Sequence, residues 1–295
     1  MVDMKWPYPD EFGQEETVES DVLVLGGGMA GCFAAIAAAR RGQRVVLVEK
    51  GATKRSGSAG TGFDHWESAC TNPCSKVTPK EIAEAYVDEQ DHFSNGIAHY
   101  IECREGYDRV LDLEGFGGKV RDTDDDFKGA EFRDEKTKLM FAYDYENKFT
   151  LRVWGSTFKP ALYNEMKRLG VKIYDRTEAT ALLTAVKDGK KRGAGAIGMN
   201  VHTGKILVFK AKSTVLTIYD HTDQIDCNNR HGTKGYISGC RNNCNKCCKT
   251  DQYDPYIRST DDQTCCRCYT FSAFEFQIEW IIMSEDCSHS GIHGK

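Results

Sequence analysis

The chain has 295 residues, 40% of them hydrophobic, with a formal net charge of -5 and both signs interspersed. That length suits one large domain or two ordinary ones and leaves enough apolar surface for a full core. An acidic chain without a concentrated basic stripe lacks the surface that nucleic acid or an anionic membrane selects, so neither is expected as a partner. Apolar runs stay well short of the roughly eighteen residues that a membrane helix needs, and the first nineteen residues are acidic and polar. No direct membrane insertion and no export signal are therefore expected, which places the chain in the cytoplasm.

In chain order, a polar leader over residues 1–20 precedes Asp21 and the run Val22-Leu23-Val24-Leu25, which is short and β-branched enough for a buried parallel strand. The turn Gly26-Gly27-Gly28-Met29-Ala30-Gly31 follows. Residues 30–41 carry six alanines, with Gly42 placed where a helix stops. Val45-Val46-Leu47-Val48 then reads as a second buried strand ending on Glu49, so the chain opens with a βαβ unit.

From Thr78 the pattern turns helical: Thr78 caps, Pro79 suits the first turn, and Ile82, Ala85, Tyr86 and later Ile97, Tyr100 and Ile101 recur at helical spacing. A further helical stretch is expected over residues 107–113. Residues 117–138 read as a glycine-rich, charged surface excursion, with the acids of residues 122–126 as a solvated loop. A helix is expected over residues 158–169, stopping at Gly170. Strands follow over residues 171–174, 180–186 and 194–201. Turns at Lys187-Asp188-Gly189-Lys190 and His202-Thr203-Gly204-Lys205 make a meander that closes with a strand over residues 206–210, and residues 213–218 read as another strand of the buried type.

The glycine turn carries the first chemical signal. Gly26 permits a tight strand-to-helix turn, Gly28 lets backbone approach a pyrophosphate, and Gly31 allows helix and strand to pack closely. The N-terminus of the helix, with Met29 and Ala30, offers amides and a dipole to the anion. Glu49, placed 18 residues after Gly31, suits the two ribose hydroxyls of an adenosine and repels a 2'-phosphate, which favours FAD or NAD over NADP.

Val48-Glu49-Lys50-Gly51 followed by Arg55-Ser56-Gly57-Ser58-Ala59-Gly60 resembles the flavoprotein-subunit family of succinate dehydrogenase, fumarate reductase and adenylylsulfate reductase. The resemblance extends over roughly residues 20–217. It includes Thr177-Glu178-Ala179-Thr180 and the closing stretch Ala211-Lys212-Ser213-Thr214-Val215-Leu216-Thr217, in the family's order. It implies a Rossmann-like α/β FAD-binding domain with a β-meander over residues 21–218, and an FAD-dependent oxidoreductase acting on a small-molecule redox substrate. By the same resemblance Lys50, Arg55, Ser56, Gly57 and Gly60 wrap the flavin pyrophosphate and ring, Ala179 touches the adenine, and Thr217 lies at the cofactor. Covalently flavinylated members carry a histidine after the loop serine; Gly57 stands there here, so FAD is expected to be noncovalent. The resemblance also allows a flavin-bearing electron-transfer subunit with an iron-sulfur partner.

Two regions do not follow the family. The closing strand normally runs into Thr-Gly-Gly, whereas Thr217 precedes Ile218-Tyr219-Asp220. The capping domain that supplies catalytic residues has no counterpart, so no catalytic residue is assigned. Of thirteen cysteines, four (Cys32, Cys70, Cys74, Cys103) lie in the first 218 residues and nine in the last 77. Reduced thiols are the expectation for such a chain. Three readings of the Cys-rich tail over residues 219–295 stay open. One is a truncated or frame-disrupted, inactive fragment; one is an unrecognised ordered extension. The third is a zinc or iron-sulfur appendage using Cys240, Cys244 and Cys247, with Cys265, Cys266 and Cys268.

Nearer the glycine turn, His65 or Trp66 is a candidate to face the flavin ring, with a packed aromatic or capping role as the alternative. Cys70 and Cys74 are a candidate redox pair, although their spacing is not that of a Cys-x-x-Cys oxidoreductase. Cys32 reads as core.

Overall fold

The computed structural model describes residues 6–187, 189–218 and 281–284. Strand β1 (Glu15–Leu25) leads through the glycine turn into helix α1 (Met29–Arg40), and β2 (Val45–Val48) follows. β1 and β2 run parallel, with Val22 opposite Val45 and Leu25 opposite Val48. The alanines of α1 favour helix, and Gly42 takes the left-handed conformation (φ +77°) just past its end.

β1 starts well before Val22. Residues 15–20, expected as a leader, pair in parallel with residues 206–211. Here Val18 and Ser20 are buried while the acidic residues between and before them face water. The polar composition hides a strand whose alternation is regular.

β3 (His65–Trp66), β4 (Met140–Phe141) and β5 (Leu151–Arg152) make a small antiparallel sheet in the order β3-β5-β4. Helix α2 (Pro79–Glu89) begins with a capping box in which Thr78 and Glu81 each accept the other's backbone N-H. The helical pattern expected onward from Thr78 breaks after Glu89, and its later part, residues 97–101, joins the stretch expected over residues 107–113 in one continuous helix, α3 (Gly96–Gly115). Helix α4 (Phe158–Arg168) is followed by β6 (Lys172–Tyr174), parallel to β2. β7 (Thr177–Lys187), β8 (Lys190–Asn200) and β9 (Ile206–Leu216) form the meander.

The two strands expected over residues 206–210 and 213–218 are the single strand β9. Its first half pairs antiparallel with β8, while its whole length pairs parallel with β1. One strand thus ends the meander and supplies the neighbour on which the glycine turn rests. The sheet order is β6-β2-β1-β9-β8-β7, and β10 (Ile281–Ser284) adds antiparallel to residues 213–216 of β9.

Both faces of the central strands are covered, which is why they read as unbroken apolar runs. Val24, Leu47 and Val215 face α1, α3 and α4 through Cys32, Ile36, Val110, Leu113, Phe158 and Leu162. Leu23, Leu25, Val46 and Val48 face the other way, onto Leu207 and Phe209 of β9. Among the described residues no helix is long and apolar enough to cross a membrane.

The excursion over residues 117–138 is not simply a solvated acidic loop. Asp122 is fully buried: its carboxylate lies 2.8 Å from Arg133 Nε and accepts the N-H groups of Asp126 and Phe127 at 3.1 and 3.0 Å. Arg133 in turn reaches Asp125 and Glu135. The remaining acids of the cluster are exposed, Asp125 among them although it pairs with Arg133 and Lys138, so the sequence reading fails at the one buried acid. Replacing one partner of a buried pair strands the other charge. Arg133→Met is expected to lower stability by about 3–5 kcal/mol, read from urea denaturation.

Candidate functional site

The glycine turn is built from below. Gly26 has φ +102°, and a Cβ there would lie 2.6 Å from the Thr217 carbonyl oxygen, so this position demands glycine. A Cβ on Gly31 would fall on the Gly26 carbonyl oxygen. Thr217, at the end of β9, donates its N-H to Leu25 O at 2.8 Å, and its hydroxyl lies 2.9 Å from both Leu25 O and Gly26 O. The threonine expected at the cofactor is therefore, first, the brace beneath the turn.

Gly28 is different. Its missing Cβ would meet only Gly57 Cα, at 4.0 Å, so the space beside it is open. Gly28 is also the N-cap of α1 and has no side chain to spend on the helix end. The helical ladder begins with Cys32 N-H donating to Gly28 O at 3.0 Å. Amides upstream of it have no acceptor within the ladder, and with the helix dipole they favour an anion. Met29 is partly buried and Ala30 buried in that first turn.

Gly27 is held at both of its backbone polar groups. Its N-H donates to Glu49 Oε2 at 2.6 Å, while Gly51 N-H donates to Glu49 Oε1 at 2.7 Å. Glu49 is buried despite its charge. These bonds add a backbone role to the ribose role expected from sequence; each carboxylate oxygen retains a second lone pair for a hydroxyl.

On the other side, the Gly27 carbonyl accepts Ser56 Oγ at 3.1 Å and the ammonium of Lys159. Lys159 is fully buried and also lies 3.3 Å from Cys32 Sγ. Burial pushes the Cys32 thiol up, which keeps it neutral. Sequence reading did not single out Lys159. Its signal was its phase: three residues before Leu162 and seven before Met166, it sits on the buried stripe of α4.

The loop expected to wrap the cofactor lies on the turn. Gly57 has φ +78°, and a Cβ there would come within 2.8 Å of Gly28 Cα. Its lack of a side chain is thus structural as well as a departure from the covalent pattern. Arg55 is anchored to the Ser156 carbonyl at 2.8 Å, and a Cβ on Gly60 would strike the Arg55 carbonyl. The preceding stretch is tied to β6 by Thr53, whose N-H and hydroxyl donate to Asp175 Oδ1 at 2.7 and 2.6 Å. Lys50 is exposed after β2, and Ala179, on β7, packs partly buried against the second core cluster.

Beyond this loop, Trp66 packs with Phe63 and Phe158 at the edge of the core. His65 Nδ1 lies 2.7 Å from Asp64 Oδ1 and 3.2 Å from the Tyr143 hydroxyl. The hydrogen bond to His65 holds the Asp64 carboxyl below its ordinary range. The Cys70 thiol sits against Cys103 of α3, and this contact, together with burial, pushes it up. Cys74 instead lies 3.6 Å from Thr137 Oγ1. The expected partners are thus each engaged elsewhere. Among the described residues no three or more His, Cys, Asp or Glu side chains are placed to hold a metal ion. Cys240, Cys244, Cys247, Cys265, Cys266 and Cys268 lie outside the described residues.

The surroundings of the glycines give opposite expectations. Gly31→Ala should cost about 2–3 kcal/mol through overpacking, whereas Gly28→Ala should cost less than about 1 kcal/mol; thermal denaturation of the two variants checks the order.

This geometry has relatives. A family model described as an FAD binding domain matches residues 21–222, more than half of the chain. A fumarate reductase (CoM/CoB) subunit of Methanothermobacter marburgensis is 26% identical over 211 residues, covering 69% of this chain and 35% of that protein. Adenylylsulfate reductase from Archaeoglobus fulgidus superposes with a TM-score of 0.58 at 26% identity, over 72% of this chain and 33% of that one. Sdh1 of Mycobacterium smegmatis, at 23% identity, TM-score 0.54, and coverage of 68% of this chain and 34% of that one, shares the fold. The chain thus spans about a third of the length of the relatives it matches. Its turn, its acidic strand end and its meander belong together: the chain is a member of the FAD-binding-domain family, and FAD is the cofactor of that family.

Proposed function

We propose that this chain is the FAD-holding part of a flavin-dependent oxidoreductase, with residues 21–218 as the cofactor-binding unit. The observation that carries the reading is the open side of Gly28, next to the docked loop at Gly57 and at the uncapped start of α1. The residues fit FAD: Gly28 and the amides around Met29, Ala30 and Gly31 would take the pyrophosphate, and Glu49 the ribose. Gly26 and Thr217 hold the turn in shape. Arg55, Ser56, Gly57 and Gly60 carry the loop toward the flavin end, with Lys50 at its start and Ala179 on the adenine side. Bound flavin supplies a reversible two-electron acceptor. The chain's own contribution is to bind and orient that group. Gly57 leaves no side chain after Ser56 for covalent attachment, so the flavin is held without a covalent bond.

The substrate is a small redox molecule, and the protein works in the cytoplasm. A second reading is that the chain bears flavin for electron transfer with an iron-sulfur partner. It is favoured by the Methanothermobacter relative, which is named as one component of a multi-chain reductase.

Purified chain titrated with FAD is expected to retain a stoichiometric flavin spectrum after desalting, and acid precipitation should leave all the flavin in the supernatant. A chain that retains no flavin contradicts the proposal. Gly28→Val should abolish retention while leaving the far-ultraviolet circular dichroism unchanged, because its side chain fills space used by the ligand rather than by the fold.

A further inference from the structure

Lys159 is a buried charge that the binding of FAD described so far leaves without a role. It is fully inaccessible to solvent, and its contacts are the Gly27 carbonyl and Cys32 Sγ. Among the described residues no carboxylate forms an ion pair with it. A buried ammonium without a counter-charge is costly, and a neutral thiol and a carbonyl offset that cost only in part.

What the carbonyl does with that charge follows from peptide geometry. No cis peptide occurs among the described residues, so the C=O of Gly27 and the N-H of Gly28 point in opposite directions across one amide plane. The oxygen points into the interior, toward Lys159 and Ser56. The N-H therefore points outward, on the side where a Gly28 Cβ would meet nothing nearer than Gly57 Cα at 4.0 Å. A cation on the oxygen polarises the amide and makes its N-H a stronger donor to an anion. Glu49, which takes the Gly27 N-H, belongs to the preceding peptide and does not cancel this polarisation through the bond.

We propose that Lys159 is a positioning residue for the diphosphate of the cofactor: its ammonium, acting through the Gly27-Gly28 peptide, strengthens the turn as an anion site, and the diphosphate is its missing counter-charge. This rests on the FAD reading and names a residue that serves it without touching the ligand. It has a signature that a packing role does not share. Removing Lys159 should weaken ligands that carry a diphosphate, spare those that lack one, and relieve rather than damage the ligand-free chain.

The test uses the full chain with Lys159→Met, which keeps the length without the charge, and Lys159→Gln, which keeps a donor without the charge. FAD, ADP and adenosine are titrated, and the ligand-free Tm is recorded. Both variants are expected to lose about ten- to a hundredfold in affinity for FAD and for ADP, the worth of a charge-assisted hydrogen bond. Adenosine affinity should stay within about twofold, and the ligand-free Tm of Lys159→Met should hold or rise.

FAD affinity within about twofold of wild type in either variant overturns the proposal, as does an equal loss for adenosine and ADP. A fall in the ligand-free Tm, or failure of Lys159→Met to fold, also overturns it, since that assigns the lysine to packing. Wild-type chain that binds no FAD would instead remove the cofactor reading itself, a result separate from any comparison of variants.

Discussion

Everything in the site depends on how one residue, Gly27, is held. Its N-H is taken by a buried carboxylate at the end of β2 and its C=O by a buried ammonium from α4 and a hydroxyl from the loop after β2. Two segments far apart in sequence, residues 49–56 and α4, therefore fix a turn whose first three residues have no side chains of their own. The two strong groups on Gly27 carry opposite charge, and each uses a charge-assisted hydrogen bond, the stronger kind available to a backbone. The turn is thereby set before any ligand arrives, and a preset site avoids the ordering cost that a loose loop would incur on binding.

The second constraint is the length of β9. Because one strand pairs both with β8 and with β1, the meander cannot shift register without moving Thr217, and Thr217 lies under Gly26. A one-residue slip would also turn Val215 and Leu207 to the wrong faces of the sheet. The same packing that buries the core thus fixes the height of the turn. Gly57 adds the third side, since two glycine backbones meet there with no room for a Cβ on Gly57.

The parts legible in the sequence are those governed by neighbours in the chain. Residues 22–49 could be read because two apolar runs, six alanines and a glycine turn follow within a few turns of one another. The cap at Thr78 and the stop at Gly170 were legible for the same reason. What escaped depends on partners far away. Residues 15–20 are polar, and only their pairing with residues 206–211 makes them strand. Asp122 reads like its exposed neighbours until Arg133 is brought against it. Lys159 reads as an ordinary helix-surface lysine, although its phase with Leu162 and Met166 marks the buried face; the carbonyl it serves is 132 residues away. Trp66 and the cysteines illustrate the same limit, for aromatic and thiol side chains serve packing as readily as chemistry, and their neighbours decide.

The claim at the centre is that the preset turn and the loop docked on it form a single diphosphate site for FAD. Amide hydrogen exchange of the whole chain with and without FAD tests this most directly. Slowed exchange should concentrate in residues 26–32 and 55–60, with residues 79–89 of α2 unchanged. Unchanged exchange in both segments while FAD is bound elsewhere, or uniform slowing across the chain, would contradict it.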